Sequence, residues 1–158
     1  MPVMRRRSQR GLTLIELIVA FTILALLTYM ALPLARYRVR RDKERELRYA
    51  LREVRTAIDK YKDACDKGTF GQQNVDRLCY PETLDSLVEG VKIASDANGK
   101  KIRFLRRIPR DPFTNSTDWG MRSNQDDPTS QGWGGQNVYD IYTKTMEKAP
   151  DGSSYADW

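Results

Sequence analysis

The chain has 158 residues, with 27 lysines and arginines, 21 aspartates and glutamates, no histidine and two cysteines. That length suits one domain. Without histidine the commonest general base is missing, and no G-x-S-x-G, P-loop or glycine-rich fingerprint after a strand occurs, so the sequence offers no support for an enzyme. The net charge of +6 is partly a property of the first eleven residues, which carry four arginines and no acid, and it does not by itself argue for a nucleic-acid partner.

In chain order, Arg5-Arg6-Arg7-Ser8-Gln9-Arg10-Gly11 comes first, followed at once by Leu12-Thr13-Leu14-Ile15-Glu16-Leu17 and a long apolar run. From Leu12 to Ala35 only Glu16 is charged. A membrane span needs about 20 apolar residues, and this stretch supplies them. A lone carboxylate there costs roughly 2.5–3.5 kcal/mol at mid-bilayer and less near the edge, so Glu16 is expected to have a partner. An ordinary anchor explains the length but not the placement of Gly11 and Glu16. A cleaved secretory signal has a shorter apolar core and an A-x-A site, whereas here Pro33 stands two before Ala35 and Tyr29 two before Ala31. A buried helix of a soluble protein needs more apolar sequence around it than this chain contains. By the positive-inside rule the seven basic residues between Arg36 and Arg48 outweigh the four leader arginines, so flanking charge alone points the N-terminus outward.

The helical pattern continues beyond the apolar run. Leu47, Ala50, Leu51, Val54, Ile58, Tyr61 and Cys65 recur at spacings of three and four, one apolar stripe of an amphipathic helix. Arg40 with Glu44, and Glu44 with Arg48, are opposite charges four apart. No glycine occurs between Leu12 and Lys67; Pro33 is a possible kink, and Gly68 and Gly71 punctuate the end. The basic stretch 36–48 reads as a solvated collar or as a contact for acidic lipid headgroups. Next, Tyr80 to Gly90 reads as a short helix capped near Thr83 and closed by Gly90. Asp96-Ala97-Asn98-Gly99 is a turn signal, Ile102–Leu105 a strand, Trp119–Ser123 a weaker strand and Asn137–Thr143 a third. The expected class is α+β: a long N-terminal helix packed on a small antiparallel sheet of about three strands.

The basic leader, Gly11 and the glutamate five residues beyond it resemble the class III signal of type IV prepilins and type II secretion pseudopilins. Downstream, Tyr80-Pro81-Glu82-Thr83, Phe104-Leu105-Arg106-Arg107-Ile108-Pro109-Arg110-Asp111-Pro112-Phe113, Tyr139-Asp140-Ile141-Tyr142 and Asp151-Gly152 resemble the head of the major pseudopilins of the general secretion pathway. Two features depart from that pattern. Phe113-Thr114 stands where a tryptophan-glycine pair is usual, with Trp119-Gly120 later, and the segment after the last strand is shorter. The resemblance implies a leader over 1–11 cut between Gly11 and Leu12 by a prepilin peptidase, N-methylation of Leu12, and an assembly role for Glu16 opposite the new Leu12 amine. It implies a transmembrane and assembly segment over 12–35, a periplasmic half-helix over 36–66 and a globular head over 67–158. The molecule is then a single-pass inner-membrane protein with its N-terminus cytoplasmic and its head periplasmic. It polymerises with itself into a periplasmic pseudopilus that supports type II secretion, with minor pseudopilins, the inner-membrane secretion platform and membrane lipid as partners. A type IV pilus or competence pilin taking up DNA is the alternative.

Three further expectations concern the head. Cys65 and Cys79 lie fourteen apart and can be oxidised in a periplasmic head. Such a loop corresponds to roughly 3 kcal/mol in the chain-entropy model, and two separate buried thiols are the alternative. A zinc site lacks both histidine and a second cysteine pair. The resemblance implies calcium in the loop after the last strand, where Asp151 and Asp157 are the corresponding carboxylates. Finally, Lys100, Lys101, Arg103, Arg106, Arg107 and Arg110 form a basic cluster. It reads as a solvated face or, less readily because ordinary DNA-binding motifs are absent, as a nucleic-acid patch.

Overall fold

The structure, a computed structural model, describes residues 13–72 and 74–158. The chain divides into two compact units, Met1–Arg41 and Asp42–Trp158. The first helix, α1 (Leu14–Asp66), runs through Pro33 and contributes to both. In the first unit every residue from 13 to 29 is exposed, including Leu14 at 78 % and Phe21 at 70 %. The hydroxyls of Thr22 and Thr28 donate back to the carbonyls of Ile18 and Leu24, both at 2.8 Å. Each threonine is thereby satisfied within its own helix. Among the described residues no helix is long and apolar enough to cross a membrane. The span expected over 12–35 is described in its side chains at 13–29, 31, 33 and 35.

In the second unit the apolar stripe of α1 becomes the core. Leu47, Ala50, Leu51, Val54, Ile58, Tyr61 and Cys65 are all buried, with Ala57 beside them. The helix closes as a Schellman motif: Thr69 N–H donates to Ala64 O at 3.1 Å and Gly68 N–H to Cys65 O at 2.7 Å. Gly68 has φ +72°, the left-handed conformation that such a terminus requires and glycine supplies without strain. A short 3-10 helix follows at Val75–Arg77, and then α2 (Leu84–Glu89), which buries Leu84 and Leu87.

The strands differ from the expected single sheet. They form two separate antiparallel pairs: β1 (Val91–Lys92) with β2 (Lys101–Ile102), and β3 (Gly120–Arg122) with β4 (Asp140–Tyr142). The turn expected at Asp96–Gly99 joins the first pair, with Gly99 N–H donating to Asp96 O at 3.1 Å. The strand expected over Ile102–Leu105 stops at Ile102. Phe104 N–H and Leu105 N–H both donate to Leu87 O at 3.0 Å, so the chain caps α2 instead of extending a ladder. β3 and β4 pair Gly120 with Tyr142, Met121 with Ile141 and Arg122 with Asp140.

Two aromatic groups pack along the helix. Tyr61, Phe70 and Phe104 meet with ring centroids 5.1–6.0 Å apart, while Phe113, Tyr155 and Trp158 meet at 4.3 and 4.8 Å. The displaced Trp119-Gly120 pair has a local cause. Residues 111–116 form a closed excursion, in which Asp111 N–H donates to Ser116 O and Asn115 N–H to Asp111 O, each at 2.8 Å. The chain thus returns Trp119 to the core at 2 % exposure, where its Nε1–H donates to Pro109 O at 2.9 Å.

Candidate functional site

The residues expected to matter fall in three places. The leader 1–11, the cleavage point Gly11–Leu12 and the methylation site Leu12 lie outside the described residues. Glu16 is described, in the first turn of α1. Thr13 caps that turn: its backbone N–H lies 3.4 Å from Glu16 Oε2, and Glu16 N–H lies 3.4 Å from Thr13 Oγ1. The Thr13 hydroxyl also points at Glu16 Oε2, at 3.5 Å. This is a capping box, Thr-x-x-Glu, in which two backbone donors at a helix start are satisfied reciprocally. The carboxylate also faces the positive end of the helix dipole. Thr13 was not among the residues the sequence singled out, although the spacing to Glu16 was in plain view.

The second place is the end of the helix. Cys65, near the end of α1, and Cys79, beyond the glycine turn, are joined with Cα atoms 5.5 Å apart. Leu78 and Cys79 both adopt positive φ, +49° and +64°, a conformation that ordinary side chains rarely take. On this loop Val75 is 84 % and Leu78 46 % exposed. Lys62 reaches across to Asp66 Oδ2 at 3.0 Å, and that hydrogen bond raises its pKa above the ordinary lysine value.

The third place is the chain after β4. Asp151 Oδ1 accepts from Ser153 N–H at 2.9 Å and from Ser153 Oγ–H at 2.7 Å, which closes an Asx turn. The Ser153 hydroxyl and amide, with a smaller contribution from Arg48, hold the Asp151 carboxyl below its ordinary pKa. Asp157 lies in a 3-10 helix, Tyr155–Asp157, and is exposed. Calcium requires six to eight oxygens drawn together from carboxylates and carbonyls. Among the described residues, no group of three or more histidine, cysteine, aspartate or glutamate side chains could hold a metal. Asp151 is already engaged by Ser153, and among the described residues no third carboxylate joins Asp151 and Asp157. The carboxylates present among the described residues do not by themselves make up a calcium site.

Cations from the protein itself occupy this region. Arg55, on α1, donates from Nε to Asp140 Oδ1 at 2.7 Å and from Nη2 to Asp140 Oδ2 at 3.2 Å. The same guanidinium donates to the main-chain oxygens of Trp158 at 2.8 Å and Ile141 at 3.3 Å. Arg122, on β3 and 5 % exposed, donates to Ser130 O at 2.7 Å and Ala156 O at 3.1 Å, and its Nη1 lies 3.9 Å from Asp140 Oδ2. Arg48 lies over the Trp158 ring at 4.2 Å, and Tyr155 Oη–H donates to Glu44 Oε1 at 2.7 Å.

The basic cluster does not form one strand face. All six of its residues are exposed, but only Lys101 lies in a strand. Arg106, Arg107 and Arg110 border a groove of about 650 Å³ whose other wall is Glu46, Tyr49 and Glu53 of α1. Basic and acidic side chains therefore face one another there, unlike the uninterrupted positive stripe that phosphate backbones select.

Comparison with known proteins bears on the chain as a whole. Residues 6–32 match the family model of the prokaryotic N-terminal methylation motif. The chain is 29 % identical over 116 residues to the type II secretion system core protein G of Pseudomonas aeruginosa, covering 71 % of this chain and 73 % of that protein. No solved structure matches significantly. The two sequence matches bear out the resemblance to the type II secretion pseudopilins that the leader, Glu16 and the head motifs carry.

Proposed function

We propose that the chain is a structural subunit of a periplasmic pseudopilus that supports export of proteins by type II secretion. The observation that carries this reading is the contrast within one molecule. An exposed apolar helical stretch beginning at Thr13 and Leu14 precedes a head whose own apolar stripe is fully covered. Such a stretch is unstable in water and needs lipid or sister helices around it. The methylation motif falls on the same residues, and the similarity to core protein G spans 71 % of the chain. The similarity to core protein G supports a structural role.

On this reading the N-terminal stretch anchors the chain once in the inner membrane with its head in the periplasm. The leader is removed between Gly11 and Leu12, and Leu12 becomes N-methylated. The chain then polymerises with itself and with minor pseudopilins on the inner-membrane platform. Two measurements test the proposal. Mass spectrometry of the mature N-terminus is expected to find Leu12; an intact leader, or a start near Arg36, would overturn processing. Deleting the chain from its host is expected to leave exported proteins in the periplasm, and undiminished export would overturn the function.

A further inference from the structure

We infer that the head is held closed by cations built into the chain, the guanidinium groups of Arg55 and Arg122, rather than by a bound metal. The oxygens they gather are of the kind that hard cations select: both carboxylate oxygens of Asp140 and main-chain carbonyls from separate segments. Arg55 takes Asp140, Ile141 and Trp158. Arg122 takes Ser130 and Ala156, and its Nη1 lies 3.9 Å from Asp140 Oδ2, the oxygen that Arg55 Nη2 also contacts. A guanidinium offers five donors in a fixed planar fork, so one side chain can satisfy several oxygens at once. The arrangement ties α1, the 123–135 loop, β4 and the C-terminal turn together. Arg48, seven residues before Arg55 and so on the same face of α1, adds its charge over Trp158.

The inference does not depend on the filament. It predicts a head that closes without calcium and stays closed where divalent cations are scarce. The carboxylate that a metal would claim in the last loop, Asp151, is free to bind Ser153 instead.

The test uses the full chain in detergent micelles, with thermal unfolding and limited trypsin digestion as readouts. Chelation with EGTA, or excess calcium, is expected to move the wild-type Tm by less than about 1 °C. Arg55→Met is expected to lower Tm by about 4–8 °C. It should also raise the rate of cleavage after the exposed Lys144 and Lys148 about tenfold or more, because the segment they lie in is released before the core opens. Asp140→Asn, which leaves both guanidiniums in place, is expected to fall between. A wild-type Tm that drops by several degrees in EGTA and returns with calcium would show that a metal holds the segment. Wild-type cleavage rates in Arg55→Met would show that the guanidinium holds nothing. If Arg55→Met cannot be purified, Arg55→Gln, which removes the charge, decides the matter: faster cleavage supports the inference and a wild-type rate overturns it. Neither readout uses filaments or secretion, so failure here is separable from failure of the pseudopilin reading.

Discussion

Replacing Glu16 separates two jobs that the same carboxylate can do. In the structure it completes the capping box with Thr13, over distances of 3.4–3.5 Å at an exposed site. Such a cap contributes about 0.5–1 kcal/mol, too little to unfold a helix whose second half is buried in the head. Its loss frays the first turn and leaves the membrane level of the protein near normal. In the proposed polymer the carboxylate instead meets the amine that cleavage creates on Leu12. A charge-assisted hydrogen bond of that kind contributes about 1.5–3 kcal/mol, roughly a 10- to 150-fold change in each subunit contact. Glutamine keeps the cap, because the capping box accepts Glu or Gln, but removes the charge. The expected result is therefore that Glu16→Gln and Glu16→Ala both reach the membrane and are both cleaved, yet both lose most filaments and exported protein. Glu16→Asp, with a shorter reach, should be intermediate. The assay is immunoblotting of membranes, mass spectrometry of the N-terminus and counting of sheared filaments by electron microscopy. If Glu16→Gln assembles normally while Glu16→Ala does not, the cap is sufficient and the inter-subunit charge pair is wrong.

Other outcomes concern the head. Gly120→Ala should destabilise it by about 1–3 kcal/mol by overpacking, since an added Cβ would lie 2.2–2.5 Å from the Tyr142 ring. That ring cannot retreat, because Arg122 stacks on it at 4.3 Å and its hydroxyl donates to Gln131 O at 2.6 Å. Thermal unfolding checks this, and a Tm within about 1 °C of wild type would show that the ring yields. Protein extracted without reductant should leave Cys65 and Cys79 unlabelled by alkylating reagents, and reduction should lower Tm; full labelling before reduction would mean that the thiols are free. Acid should loosen the 123–135 loop. Asp126 accepts from Ser123 N–H and Gly134 N–H at 2.7 and 3.0 Å, and these bonds, Ser123 first, hold its carboxyl below the ordinary value of 3.8. A carboxyl depressed in the folded state adds stability that is complete above the unfolded value and is lost as pH falls through the folded one. Local opening of this loop should therefore rise only below about pH 4, and Asp126→Asn should flatten the profile measured by hydrogen exchange.

Sequence periodicity located what is local. The stripe from Leu47 to Cys65 reports which face of α1 is covered, because 3.6 residues per turn fixes which side chains share a face. Gly68 reports the helix end, because few other residues take its φ. The sheet was less legible. A ladder of two residues, as in Val91–Lys92, leaves no period to detect, and nothing in Ile102–Leu105 says that Phe104 N–H and Leu105 N–H will choose Leu87 O over a strand. The head's ionic framework was least legible. Arg55 lies 85 residues before Asp140 and 103 before Trp158, and in sequence it is one more cation on a charged helix. Only its position seven residues after Arg48, beside the apolar stripe, hints that it faces the head. Thr13 is a different case. Its pairing with Glu16 follows a short local rule, but the membrane-length apolar context drew attention to a partner in another subunit.

On the pseudopilin reading, apolar contact is a poor candidate for what drives assembly. The side chains from Leu14 to Tyr29 are exposed in the single chain, and in a membrane they are covered by lipid. Lipid tails are about as apolar as leucine, so exchanging them for neighbouring helices yields little hydrophobic free energy. What changes on assembly is the partner of the one charged group in the stretch, together with the contacts of the heads. Conservative exchanges on the apolar surface should then be tolerated where Glu16→Gln is not. Phe21 is 70 % and Ile23 52 % exposed, and both lie beyond the first turn of α1 that holds the capping box. Phe21→Leu and Ile23→Leu are expected to give filaments within about twofold of wild type, which corresponds to less than about 0.5 kcal/mol per contact. Filament counts normalised to membrane level measure this. Loss of filaments in Phe21→Leu at normal abundance would show that shape-specific packing of this helix, and not the charge at its start, selects the assembled state.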